Sequence, residues 1–164
     1  MHLTVDAIRA SFVNASNRQV RAVAVPPPVA DTDWQEREFV GWHDLRTPGR
    51  AYLVARREAG PVGVLLRAPG VSTGRRAPAL CELCRSVHDA DGVRLFVAPK
   101  AGAAGRQCDS VGTYICADLE CSLYARGRRR TVRAPAEPPG PERVAKLEQR
   151  LGAFLDRVVG QAAG

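Results

Sequence analysis

Apolar positions change their period along the chain, and each change predicts a new element. Val5, Ile8 and Phe12 recur at helical spacing behind Thr4, whose hydroxyl can accept the first free amides, so a helix with one buried stripe is expected to end near 14–17. Val20 to Val25 alternates and predicts a strand, and Pro26-Pro27-Pro28, which lacks amide donors, predicts an extended connection out of it. Between Asp31 and Arg67 the pattern is that of an antiparallel meander. Its strands are expected at Phe39–Trp42, Ala51–Ala55 and Val62–Leu66, with turns at Thr47-Pro48-Gly49 and Glu58-Ala59-Gly60-Pro61. Trp34 and Trp42 are expected to fill the core. Ala68 to Pro78, with Gly70, Gly74 and the Arg75-Arg76 pair, predicts an exposed linker.

Beyond it, Val93–Val97 alternates as a strand after a turn at Asp91-Gly92, and 99–112 is expected to be a long Gly-rich loop. Thr113-Tyr114-Ile115 closes a further strand, after which Asp118 is expected to cap a short helix carrying Leu119, Leu123 and Tyr124. A stiff Pro135–Pro141 linker leads into an amphipathic helix. There Val144, Leu147, Leu151, Phe154 and Val158 share one stripe and Gly160 is the stop, so the helix is expected to pack back on the domain.

The 164 residues suit one domain over 1–164, divided into a helix plus meander (1–79), a central unit (80–130) and the C-terminal helix (141–160). No apolar run approaches membrane length, and no secretory leader opens the chain at Met1-His2-Leu3, so a monomer in a reducing cytoplasm is expected. The net charge of +7 favours polyanionic surroundings, but 22 of the 24 cations are Arg, which Ala-, Gly- and Pro-rich GC-biased coding also produces, so charge names no partner. Arg126, Arg128, Arg129, Arg130 and Arg133 read either as a solvated helix end or as a patch for phosphates or acidic side chains.

Chemistry concentrates in the cysteines. The spacing Cys81-x2-Cys84-x31-Cys116-x4-Cys121 predicts a closed tetrahedral site for one structural zinc ion, with a knuckle, a hairpin and a helix supplying the thiolates: a treble clef. Paired disulfides fit less well, because the cysteine count is odd and a reducing compartment is expected. His88 is within reach as a substitute ligand, but four cysteines already complete the set, and Cys108 is left as a surface thiol. Four protein ligands leave zinc no position for water, and His43-Asp44, as strand neighbours, point to opposite faces, so no enzyme is expected. The 99–112 loop matches no phosphate-binding motif.

Cys81-x2-Cys84, then Leu95-Phe96-Val97-Ala98, then Val111-Gly112-Thr113-Tyr114-Ile115-Cys116-Ala117-Asp118-Leu119-x-Cys121-Ser122 resembles the C-terminal treble-clef domain of elongation factor G-binding proteins, the fusidic-acid-resistance type once labelled fibronectin-binding. Ser11-Phe12-Val13-Asn14 and Gly41-Trp42-x-Asp44 are similar to earlier segments of that domain. The resemblance implies an α+β fold, a small antiparallel sheet with N- and C-terminal helices around the zinc finger, and a structural metal on Cys81, Cys84, Cys116 and Cys121. It also implies docking on elongation factor G and release of the factor from the ribosome; the 164 residues leave no room for the separate helical N-terminal domain of the resistance proteins. Lys100, Arg106, Gln107, Tyr124, Arg126 and Arg128 are the candidate partner contacts, and RNA or DNA binding through the arginines is the alternative.

Overall fold

A computed structural model describes residues 3–70 and 77–160. Helix α1 (Val5–Ala10) starts where expected, with the Thr4 hydroxyl accepting from Ala7 N at 3.1 Å. Phe12 lies beyond it and bridges to Gly63. The next segment differs from expectation. Val20–Val25 is not a strand: Asn17–Ala22 forms helix α2, because Ser16 and Gln19 build a capping box in which each side chain accepts from the other's amide. The local cap overrides the alternation that follows it. Nor is the proline run extended. Pro27 opens helix α3 (Pro27–Ala30), where a missing N–H costs nothing because that donor has no intrahelical partner.

Strands β1 (Phe39–His43), β2 (Arg50–Arg57) and β3 (Gly60–Arg67) form the expected meander. A two-residue hairpin, β4 (Ala79–Leu80) with β5 (Val87–His88), brackets the first cysteine pair, and β6 (Val93–Pro99) and β7 (Ser110–Cys116) pair after it. The meander and the β6–β7 hairpin are one sheet, in the order β1-β2-β3-β6-β7. The sheet therefore includes strands from both sides of residue 79, joined at Arg67 and Val97. The expected 99–112 loop is largely ordered as helix α4 (Gly102–Arg106) and the first residues of β7. The Arg75-Arg76 pair of the expected linker lies outside the described residues. Helix α5 (Cys121–Ala125) and helix α6 (Pro141–Val159) complete the chain, with α6 ended by Gly160 in the left-handed region at φ 84°.

Strand alternation sends neighbouring residues to opposite faces of the sheet, and both faces are covered. Leu53, Val64, Leu66, Phe96 and Ile115 share one core with the cysteines and with Leu147, Leu151, Phe154 and Val158 of α6. Tyr52, Val54 and Leu65 share the other with Ile8, Phe12, Trp34 and Trp42. Both tryptophans are buried core residues as expected; Trp42 Nε1 donates to Ala24 O at 2.9 Å. Because α6 buries its stripe within the domain, the stripe is not free to face a second copy.

Candidate metal centre

The first two ligands come from a turn that the backbone closes on itself. Cys81 N donates to Ser86 O, Arg85 N to Cys81 O, and Cys84 N to Cys81 Sγ, so the β4–β5 hairpin bends until both sulfurs face inward. Arg85 takes a left-handed φ of 59° to allow it. Cys116 ends β7 and Cys121 opens α5. Leu119, also at φ 59°, makes the turn between them. That turn sits on Gly41 of β1, where a Cβ would lie 2.6 Å from Leu119 Cβ. His43 completes the seat, its Nε2 2.7 Å from Ala117 O. Asp118 does not cap α5: its Oδ1 accepts from Glu120 N and its Oδ2 from Tyr124 OH at 2.8 Å, while Glu120 occupies the cap position without a side-chain bond. Glu82 staples the knuckle to β7, accepting from Thr113 Oγ1 and Tyr114 N, each at 2.8 Å.

The outcome is a cluster of four buried sulfurs, Cys81, Cys84, Cys116 and Cys121, all within 4.8 Å of one another and none in a disulfide. A zinc–thiolate bond of about 2.3 Å puts the sulfurs of a tetrahedral site about 3.8 Å apart. Cys81–Cys121 at 3.7 Å and Cys84–Cys116 at 3.4 Å match that spacing. The donor set fits too. Hydrogen bonds from Cys116, Cys121 and Cys81 hold the Cys84 thiol far below the usual range, while burial and hydrogen bonds to the same neighbours push Cys121 up. A metal takes all four as thiolates, so its binding releases the protons of those that are raised. His88 is not a substitute ligand but stands behind one: its buried Nε2 is 3.2 Å from Cys116 Sγ, and its ring meets Tyr124 edge-on. Cys108 is exposed and apart from the cluster, as expected.

The six candidate partner contacts separate. Arg106 and Gln107 are exposed around the end of α4. Lys100 is paired with Asp109 at 2.7 Å. Tyr124 does not face a partner: it is buried, burial and the bond to Asp118 raise its hydroxyl above the ordinary tyrosine range, and it belongs to the metal centre. Arg126 is engaged internally, donating to Glu36 O at 3.0 Å and pairing with Glu38, whose carboxyl burial pushes up against the opposing pull of Arg126. Arg128 pairs with Glu36, Arg129 with Asp118 and Arg133 with Asp89. The arginine run is therefore mostly paired within the chain, with Arg130 exposed and outside any ion pair among the described residues. It laces the segment after α5 to acidic residues of the same chain.

Three residues of this centre escaped the sequence reading. Ser86 Oγ lies 3.3 Å from Cys84 Sγ, and Arg143 Nη2 donates to Ser86 Oγ at 2.7 Å. Arg150 Nη1 donates to Leu83 O at 3.0 Å while its Nη2 pairs with Glu137 at 2.6 Å. The clue was Arg143 itself, which stands four residues before Leu147 on the apolar stripe of α6.

A knuckle, a hairpin and a helix that converge four cysteines on one point define a treble-clef zinc finger, and the four cysteines form a site for one structural zinc. The chain belongs to the FBP C-terminal treble-clef zinc-finger family, which it matches over residues 7–158. No curated protein and no solved structure matches it. The match takes in the meander and α6 as well as the finger, in keeping with the continuous sheet. No helix among the described residues is long and apolar enough to cross a membrane.

Proposed function

We propose that this protein is a non-enzymatic, cytoplasmic binding module that docks on elongation factor G and favours its release from the ribosome. The observation that carries this reading is the closure of the metal centre: four buried thiolates fill the tetrahedron, so zinc has no position at which to activate water or polarise a substrate. A metal held in that way stabilises a surface. Membership of the FBP family supports a binding role, and the elongation factor G partner follows from the residues that carry the resemblance. The surface favoured for contact is the turn joining β6 to β7, with Arg106 and Gln107, together with Tyr114, which is 53% exposed on the metal-pinned strand. The thiolates need a reducing compartment, which suits the cytoplasm. A binder of this kind acts by differential affinity, moving the factor's equilibrium by about 1.4 kcal/mol for each tenfold preference between its free and ribosome-bound forms.

Internal pairing of Arg126, Arg128, Arg129 and Arg133 counts against nucleic acid as the main partner. Titration of the purified protein against elongation factor G at moderate salt tests the choice, with Cys116→Ser as the site-loss control and Arg106→Glu as the surface variant. Saturable binding that Cys116→Ser abolishes and Arg106→Glu weakens is expected. No detectable interaction, joined to RNA binding that falls steeply with salt, overturns the proposal.

A further inference from the structure

Arg143 is, among the described residues, the arginine that the fold treats as core. It is 3% exposed, it occupies the apolar stripe of α6, and among the described residues it has no carboxylate partner. A buried charge in that state is costly unless something nearby offsets it. The side facing outward offers nothing: the cavity of about 350 Å³ that Arg143 lines also carries Arg129, Arg130 and Arg133 and no acidic residue. The side facing inward is the knuckle. Nε donates to Cys84 O and Nη2 to Ser86 Oγ, whose oxygen lies 3.3 Å from Cys84 Sγ. When Cys84 is a metal-bound thiolate, sulfur only accepts, so the Ser86 hydroxyl donates to it while its own lone pair takes the Arg143 N–H.

Neighbouring groups repeat the pattern. Leu83 O accepts from Arg150 Nη1, Cys84 O from Arg143 and Arg85 O from Ala136 N at 3.1 Å, so three successive carbonyls of the knuckle are taken by the segment that carries α6. Four thiolates around one divalent ion leave a dianion in a buried setting. Arg143 is the buried cation that reaches its ligand turn.

We infer that Arg143 is a positioning residue of the metal centre: it sets its charge against the tetrathiolate and fixes the Cys84 turn through Ser86, so that docking of α6 and metal affinity are one equilibrium. This inference rests on the four-cysteine zinc site and not on the proposed partner, so loss of elongation factor G binding leaves it standing.

The test uses the full chain, with zinc affinity from chelator competition and the thiolate-to-cobalt charge-transfer bands of the cobalt-substituted protein. Arg143→Met keeps the length and removes charge and donors. A fall in zinc affinity of about 10- to 100-fold is expected, the usual cost of losing a ligand's outer partner, with shifted cobalt bands. Arg143→Lys restores part of the affinity. Leu147→Ala, which loosens the same helix on its apolar side, lowers the melting temperature but leaves the cobalt bands at saturating metal unchanged. Zinc affinity within twofold of wild type and unshifted bands in Arg143→Met overturn the inference. Should that variant not fold, Arg143→Lys decides alone: shifted bands uphold the role, and wild-type bands with wild-type affinity overturn it.

Discussion

The two faces of the sheet reach the same degree of burial by different means. One face is rich in aromatics for its size: Tyr52 meets Phe12 edge-on at a centroid distance of 5.7 Å and Trp42 at a tilt at 5.3 Å, and Trp34, Val54 and Leu65 share their cluster. The other face is mainly aliphatic, with Phe39, Phe96, Phe154 and Tyr124 set among the aliphatic side chains, and it carries the cysteine cluster with α5 and α6 packed around it. Large rings bury enough surface to order the short helices α1 to α3, none longer than six residues, without a covalent anchor. On the opposite face, two turns hold non-glycine residues at positive φ, and a metal that draws four thiolates together offsets that local cost. The lesson is one of dependence: the aromatic face should survive without zinc better than the aliphatic face does.

The largest effect expected follows from removing the metal. Structural zinc supplies on the order of 10 kcal/mol of apparent binding free energy in small fingers, so chelation or Cys116→Ser should strip amide exchange protection from α5 and α6. Emission from Trp34 and Trp42, both on the other face, should shift less. Simultaneous loss at both faces would merge them into one cooperative unit.

Truncating the aromatic face costs less. Trp42→Ala should lower stability by about 3–5 kcal/mol, measured by denaturant unfolding, while metal analysis still finds one zinc per chain. Gly41→Ala links the two faces: its Cβ would collide with Leu119 and move the metal turn, at about 1–3 kcal/mol. The variant should also release zinc to a chelator faster than wild type, and an unchanged release rate would show that the seat on β1 is not needed.

Acid should separate the faces by order of loss. Metal binding needs thiolates, and burial raises Cys121, so zinc affinity falls steadily as pH is lowered. On the aromatic face, burial pushes Asp44 up but hydrogen bonds from Tyr52, Arg46 and Thr47 outweigh it and hold the carboxyl below its ordinary 3.8. A carboxyl lowered in the folded state stabilises above that value and loses its contribution only as pH falls beneath it. Zinc release should therefore precede loss of the Asp44–Tyr52 contact in an acid titration followed by metal indicator and tyrosine absorbance. The smallest change is Tyr52→Phe, about 1 kcal/mol for one hydrogen bond, without effect on zinc content.

Residues with a strong periodicity or a fixed spacing were readable in advance. The three meander strands, the start of α1, α6 and all four ligands lie where pattern and spacing put them, because alternation, the 3.6-residue stripe and the paired cysteines each encode one geometry; α1 itself stops at Ala10, short of the expected 14–17. Residues 17–30 were misread where two local rules compete. The Ser16–Gln19 box and the tolerance of a first helical turn for proline won over alternation and proline stiffness. Contacts distant in sequence were not readable. Tyr124 and Arg126 looked like surface residues until Asp118 and Glu38 proved to be their partners, and nothing local announced that Arg85 and Leu119 would adopt left-handed backbone.

Metal analysis of protein purified without added zinc, beside the Cys116→Ser variant, bears most directly on the claim that one closed tetrathiolate ion holds this scaffold. One zinc per chain in the wild type, none in the variant, and loss of ordered α6 with it are the predicted results. A wild-type protein without stoichiometric zinc, or a metal-free variant with α6 still protected from exchange, would contradict it.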